Sequence, residues 1–595
     1  MLSPSFRVRP VSLTVVCQGE QILNGLAEQS WDCAPSGSRS DLWPSFRFCA
    51  ADVGVAIVCA ISILSFIGSR EIQGVRERRL AGSAADIVRN GNWLLPSLRG
   101  EPRFLKPLLA DWSAATSLSL FGRSEFAFRL PFALFGLGAV ALTYFLARSL
   151  MGAAVGRIAA LILASTCVFV SECHLASTDL LLTFFCAAAM LSWLNWRKTH
   201  QSYPRAWWWC FYLSVSLACL SKGPLALVFV AIPIVLELWA AGQWTVLRSM
   251  RLGPGLLVVL TPLLVWVVAV CLRVENAAAS WLDDMRLSFD NHEDGKWVER
   301  FAHLGQWPWV CFPWSVPGVV ALILPVVRRW LGGWADVRFF YFWLAGSVAF
   351  LCTWAKQPQH YLIPLVVPLS VVEAVLIHRA IAAFRQGEMN VHLNRLAVVF
   401  SLCFVALAPL LAALLHVYAG WATWLSVSAG AVVGIPVVVG VWQLRAAPTR
   451  AVWVCTASSL ICLFIHAGWI QPRMTDPTSC APFAKELAGI VPRSEPIYFL
   501  SLDYAIPFYA DRDFRPLETS AETNLRTSLS SIGSGYLMLR RAKFDDLIDA
   551  ARGAVVVSVL LENPKVAKQP KALELLLVRL DPLATTAGSD EVTRR

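Results

Sequence analysis

Apolar stretches roughly as long as a bilayer is thick recur along this chain, separated by short polar or basic turns. They lie near 51–68, 130–148, 154–171, 179–195, 206–220, 222–240, 252–272, 308–327, 339–355, 361–378, 396–417, 421–442 and 451–470. The pattern predicts about thirteen membrane-spanning helices. Two segments between spans have a different rhythm. Leu80, Ala81, Ala84, Ala85 and Val88 fall at helical spacing within 77–90, and Leu108, Leu109, Trp112, Ala115 and Leu118 do so within 106–120. Each predicts an amphipathic helix lying on the membrane surface. After residue 470 the pattern changes to short apolar strands at 496–500, 536–539, 555–560 and 575–580, mixed with helical stretches at 480–490 and 544–552, which predicts a small α/β domain.

Composition agrees with a membrane protein. Charged residues are 15% of the 595 and hydrophobic residues 56%, or about 60% with the 35 Gly counted in place of the 10 Tyr, against about 25% and 45–50% for soluble domains. The 26 Trp suit a polytopic chain, because indole rings collect at the membrane–water boundary. The net charge of +11 does not imply a nucleic-acid partner, since the basic residues lie between apolar runs and not along one face. Most of the 16 Cys sit inside apolar runs and no Cys-x-x-Cys pair occurs, so neither a zinc site nor a disulfide scaffold is expected.

Alternate loops differ in charge, and this sets sidedness. One set carries Arg148 and Arg157, then Arg197, Lys198 and Arg205, then Arg248 and Arg251, then Arg328, Arg329 and Arg338, then Arg379, Arg385 and Arg395, then Arg445 and Arg450. These read as cytoplasmic. The long loop 69–129, the loop 273–306 and the tail 471–595 then face outward. The organisation expected is an N-terminal extension over 1–49, poorly ordered, a membrane domain over 50–470 and an outward α/β domain over 471–595.

The first outer loop holds a series of dispersed motifs: Glu77-x-Arg79, Gly91-Asn92-Trp93-x-x-Pro96, Leu98-x-Gly100, Phe104-x-Lys106-Pro107, Trp112, Phe121-Gly122 and Arg129-Leu130-Pro131. Further matches are Asp179, Leu220-Ser221-Lys222-Gly223-Pro224, Pro313-Trp314 and Gln359-His360-Tyr361-x-x-Pro364. In these the chain resembles the GT-C membrane glycosyltransferases, in the branch of the lipid A aminoarabinose transferases and the protein O-mannosyltransferases. The resemblance implies a polytopic α-helical GT-C fold in a bacterial inner membrane. It also implies a polyprenyl-phosphate sugar donor, an extracytoplasmic lipid, glycan or protein acceptor, and no nucleotide or obligatory metal. A monomer embedded in membrane lipid suffices for this chemistry.

That reaction needs cations to hold the departing lipid phosphate, for which Arg79, Lys106 and Lys222 are the first candidates. A hydroxyl acceptor needs a carboxylate to take its proton, for which Glu77 and then Asp179 are candidates. The resemblance adds His292, Arg300, Lys356, His360 and Tyr361 as donor- or acceptor-contacting residues. Two departures stand out. Relatives commonly have Asp-Glu where this chain has Arg76-Glu77, and the aminoarabinose transferases have Glu where it has Leu105. Arg76 therefore also reads as an arginine reaching for lipid headgroups. The competing readings are a transporter or flippase of a lipid-linked sugar and a non-catalytic lipid-binding relative. Transporters tend to show internal repeats and mid-membrane charges, and neither is evident in this sequence.

Overall fold

The computed structural model describes residues 48–198, 204–289, 301–323, 334–353, 358–386, 404–442, 448–474, 479–517, 525–532, 534–552, 555–563 and 574–582. The expected extension over 1–49 lies almost wholly outside the described residues. Among them, each of the thirteen apolar stretches coincides wholly or in part with a helix. Five helices are long and apolar enough to cross a membrane, and a bent pair makes a sixth. The chain is a polytopic helical membrane protein.

The N-terminal half of the bundle is built from α1 (Ala50–Leu64), α2 (Gly74–Asn90), α3 (Leu109–Phe121), α4 (Glu125–Met151), α5 (Ala153–Ser165), α6 (Cys167–Cys173), α7 (Thr178–Lys198) and α8 (Pro204–Lys222). At the centre lies the helix Ile363–Arg385, which packs against α4, α5 and α7. Helix Leu252–Cys271 lies at the periphery against α8. Its Leu257 and Val265 are exposed, 69% and 64%, a liability in water and an ordinary state in lipid. Close helix approach uses small residues: a Cβ added at Gly136 of α4 would sit 2.4 Å from the Cys173 sulfur.

The stretch predicted as one straight span over 154–171 is broken. Helices α5 and α6 meet at a 68° bend. Ser165 and Thr166 bond back to the carbonyls of Leu161 and Ile162 at 2.5 and 2.8 Å, and the freed Cys167 N–H donates to Phe312 O at 2.9 Å. Back-bonding hydroxyls bend helices, and the donor lost from the ladder needs another acceptor. The bend brings Glu172 into hydrogen-bonding reach of α2.

Both amphipathic helices of the first outer loop are present as α2 and α3. Between them Ser97–Leu98 (β1) and Glu101–Pro102 (β2) pair as a minimal antiparallel hairpin. Its two central residues, Arg99 and Gly100, have φ of 61° and 83°, as a two-residue hairpin of this hand requires. The tail forms a five-stranded mixed sheet: β3 (Ile497–Phe499), β4 (Phe514–Pro516), β5 (Gly535–Arg540), β6 (Val555–Glu562) and β7 (Leu575–Pro582), in the order β4-β3-β5-β7-β6. Strand β3 is parallel to β4 and β5, and the β5–β7 and β7–β6 pairs are antiparallel.

The sheet unit is held tightly to α2. Phe483, Ile497, Phe508 and Met538 share one hydrophobic core with the helices of the bundle. Salt bridges Arg78–Asp503 (3.3 Å), Arg89–Asp511 (3.3 Å) and Arg123–Asp511 (2.8 Å) rim the contact. A Cβ at Gly82 would lie 2.3 Å from the Tyr504 carbonyl oxygen, so only glycine permits this approach.

Candidate active site

Four chain segments meet at one polar cluster. Asp179 lies in the first turn of α7, where the helix N-terminus favours a carboxylate, and Lys222 ends α8, where a cation is favoured. The Lys222 ammonium donates to Asp179 Oδ1, with both side chains below 10% exposure. Arg76 of α2 approaches from the side. Its Nη1 is 3.5 Å from Asp179 Oδ2 and its Nη2 3.1 Å from Glu172 Oε1, while 48% of its side chain stays accessible. Ser177 Oγ donates to Asp179 Oδ2 at 3.4 Å. The Lys222 nitrogen also stands 4.1 Å from the centre of the Tyr361 ring, and His360 meets that ring edge-on at 5.0 Å. His360 is within electrostatic reach of Asp179, Lys222, Arg76 and Lys106.

Lys106 reaches the same cluster from the loop before α3. Arg103 grips the buried Asp111 of that helix with two hydrogen bonds of 2.9 and 3.0 Å, and Trp281 Nε1 donates to Phe104 O at 3.0 Å. These contacts fix the backbone on the N-terminal side of Leu105. Protein around the Lys106 ammonium, and then the neighbouring charge of Lys222, hold its pKa below that of an ordinary lysine. An anion entering between them relieves that repulsion.

Glu77 and Arg79 lie elsewhere. Glu77 is 2% exposed and accepts two bonds from Arg129, 2.7 Å from Nε and 3.1 Å from Nη2. It also accepts from the N–H groups of Gln73 (3.0 Å) and Ala176 (3.2 Å). Arg129 is fully buried and gives its remaining donors to the carbonyls of Ile67, Arg70 and Glu71 at 2.7 to 3.1 Å. Burial alone pushes the Glu77 carboxyl up, but the charge and hydrogen bonds of Arg129, with Arg70 and the Gln73 N–H, outweigh it and hold the pKa below the usual value. A carboxylate so committed is a joint between α2, α4 and the Ala176 turn, and a poor base. Arg79, two residues further along α2, lies 5.2 Å from the Tyr504 ring of the sheet unit.

The expected trio Glu77, Arg79 and Lys106 is therefore not one cluster. The structure brings together Arg76, Lys106, Asp179, Lys222, His360 and Tyr361 with Glu172. Arg76, which the sequence suggests as an arginine reaching for lipid headgroups, instead bridges two carboxylates. Its position in the motif series is a usable signal; Glu172 has none. His292, Arg300 and Lys356 lie outside the described residues, as does the whole of the stretch 290–295.

The polytopic helical fold is of the GT-C type, with a buried carboxylate–cation cluster where the surface helix α2 meets α7 and α8. Comparison with known proteins agrees. Residues 105–268 match the family described as dolichyl-phosphate-mannose-protein mannosyltransferase. The chain is 27% identical over 454 residues to the undecaprenyl phosphate-alpha-4-amino-4-deoxy-L-arabinose arabinosyl transferase of Serratia proteamaculans, covering 71% of this chain and 76% of that one. A shorter match of 29% identity to an Aquifex aeolicus protein spans 29% of this chain and about a third (35%) of the relative. ArnT from Cupriavidus metallidurans, solved bound to undecaprenyl phosphate, superposes with a TM-score of 0.68 at 18% identity, covering 90% of this chain and 99% of that one. The chain is thus similar in sequence to an aminoarabinose transferase and in fold to a solved GT-C protein.

Proposed function

We propose that this protein transfers a sugar from a polyprenyl-phosphate donor to an anionic acceptor at the outer face of a bacterial inner membrane. The observation that carries this reading is the gathering of Arg76, Lys106 and Lys222 around Asp179 where α2 lies on the helix bundle. The donor's leaving group is a lipid phosphomonoester with a second pKa of about 6, so it departs without a general acid when cations receive the developing dianion. Lys222 and Lys106 act as point charges, and the half-exposed Arg76 guanidinium offers a planar pair of donors. Asp179 holds Lys222 and Arg76 in position. The acceptor oxyanion attacks the anomeric carbon from the face opposite the phosphate, the carbon–oxygen bond to the phosphate breaks, and the electron pair leaves with the lipid.

An anionic acceptor fits because Glu77 and Asp179 are both tied to cations and are weak proton acceptors in that state. A hydroxyl acceptor is the second reading, favoured by Glu172, whose Oε2 is buried without a hydrogen-bond partner. The sheet unit packs on α2 and so lies on the same side as the cluster, which supports an outward placement for both under the charge pattern of the loops.

The test is a turnover assay with purified protein and synthetic polyprenyl-phosphate sugars, read as release of polyprenyl phosphate. Lys222→Gln and Lys106→Ala each lower kcat at least roughly a hundredfold, the scale of losing one electrostatic stabiliser of the transition state. Full activity in both variants removes the site, and transport of intact donor without sugar release favours a flippase.

A further inference from the structure

A second cationic feature lies further along α2, where it meets the hairpin and the sheet unit. The contact between α2, the β1–β2 hairpin and the sheet unit leaves a small half-open cleft of about 60 Å³, lined among others by Asp86, Arg89, Arg99, Tyr504, Arg512 and Asp513. Most charges at this contact are already satisfied. Arg89 and Arg123 pair with Asp511, Arg78 with Asp503 and Arg515 with Asp513. Asp86 accepts from Ser97 N and Asn90 Nδ2, both at 2.7 Å, and Arg512 donates to backbone carbonyls of Ala488, Val491, Ala510 and Asp511.

Arg79 and Arg99 are the exceptions. Among the described residues neither has a carboxylate. Their guanidinium carbons lie 5.2 and 3.9 Å from the centre of one ring, that of Tyr504. Arg99 Nε is buried with no hydrogen-bond partner. Arg99 is also held at φ 61°, a region non-glycine residues seldom occupy. The next residue, Gly100, is tight against Pro516 of β4, where an added Cβ would meet the ring at 2.8 Å. Two like charges converging on one aromatic ring, one with a desolvated donor on a strained tip, form a site prepared for an oxyanion.

We propose that this cleft is a second oxyanion-binding site, in which Arg99 in the lining, supported by Arg79 beside the same Tyr504 ring at the cleft's edge, holds a phosphate or carboxylate group of the acceptor away from the Asp179 cluster. The assignment rests on the anionic-acceptor reading above. It gives the first outer loop two duties: Arg76 of α2 faces the leaving phosphate, and Arg99 of the hairpin faces a distal anionic group that selects the acceptor.

The experiment uses full-length protein in phosphatidylcholine nanodiscs, titrated with inorganic phosphate by calorimetry. The variant K106Q/K222Q serves as background, so that the reacting cluster does not contribute. Binding persists there, R79Q/R99Q weakens it at least roughly tenfold, the scale of one charge-assisted hydrogen bond, and R79K/R99K retains more than the glutamine pair. Unchanged binding in R79Q/R99Q, or equal loss in the lysine and glutamine pairs, overturns the proposal. Nanodiscs containing phosphatidic acid separate the sources. Competition between that lipid and free phosphate that depends on Arg79 and Arg99 identifies a lipid headgroup as the occupant, and binding of free phosphate alone identifies a soluble one. Binding in neither arm overturns the site. Phosphate binding that behaves as described in a protein with no transferase turnover refutes the functional reading and leaves the cleft standing.

Discussion

Replacing Glu77 by Gln tests whether this residue is a structural joint or a base. Glutamine keeps the length and one carbonyl acceptor but removes the charge, leaving the Arg129 guanidinium fully buried without a counter-ion. Removing one member of a buried ion pair costs about 3–5 kcal/mol, because the other charge remains desolvated. The upper part of that range applies, since Glu77 also loses optimal bonds to the Gln73 and Ala176 N–H groups. Heating the purified protein and following the monodisperse fraction by size exclusion reads this as a Tm several degrees below wild type. A Glu77→Met, Arg129→Met double variant recovers more than half of the loss, because no uncompensated charge is left. The pH dependence has a definite sign. The Glu77 pKa is held below its ordinary value near 4.5, so the stabilisation is present above that value and disappears as pH falls through the lower folded-state value. The gap between wild type and E77Q therefore closes only in acid. An E77Q protein with unchanged Tm and abolished turnover refutes this reasoning and restores Glu77 as a base.

Gly82→Val forces branched carbons into the Tyr504 carbonyl. Overpacking of this kind costs about 1–3 kcal/mol or more, and limited proteolysis shows the sheet unit cleaved faster while the helix bundle persists. Glu172→Gln separates the two acceptor readings. It leaves turnover with an anionic acceptor within about threefold and, for a hydroxyl acceptor, lowers kcat by the roughly 10²–10⁴-fold that a general base supplies.

Periodicity locates the helices because a bilayer imposes one length and one polarity on every span, and both are visible residue by residue. The surface helices and most strands of the tail are legible for the same reason. The short strand Phe514–Pro516 is not, since three residues ending in proline carry no period. The α5–α6 bend escapes a sequence reading because Ser165 and Thr166 look like ordinary small residues in an apolar run until Phe312, far along the chain, supplies the missing acceptor. Among site residues, Lys222 and Asp179 stand out as ionisable groups at the ends of apolar runs, and the structure joins them. Glu77 and Arg79 are two positions apart on a helix, hence on nearly opposite faces, so one motif serves two places. Arg129 is legible as part of a motif, but its hydrogen bonds to Glu77 and to three carbonyls depend on chain reversals that no local pattern encodes.

The buried polar cluster draws on Arg76, Glu172, Asp179, Lys222 and Tyr361, residues supplied at widely separated moments of synthesis. In the nascent protein the buried Asp179 waits for its nearest counter-ion until the end of α8 has been made, and the tenth apolar stretch later adds the Tyr361 ring over Lys222. Chains that end before residue 222 lack the nearest counter-ion of the buried Asp179.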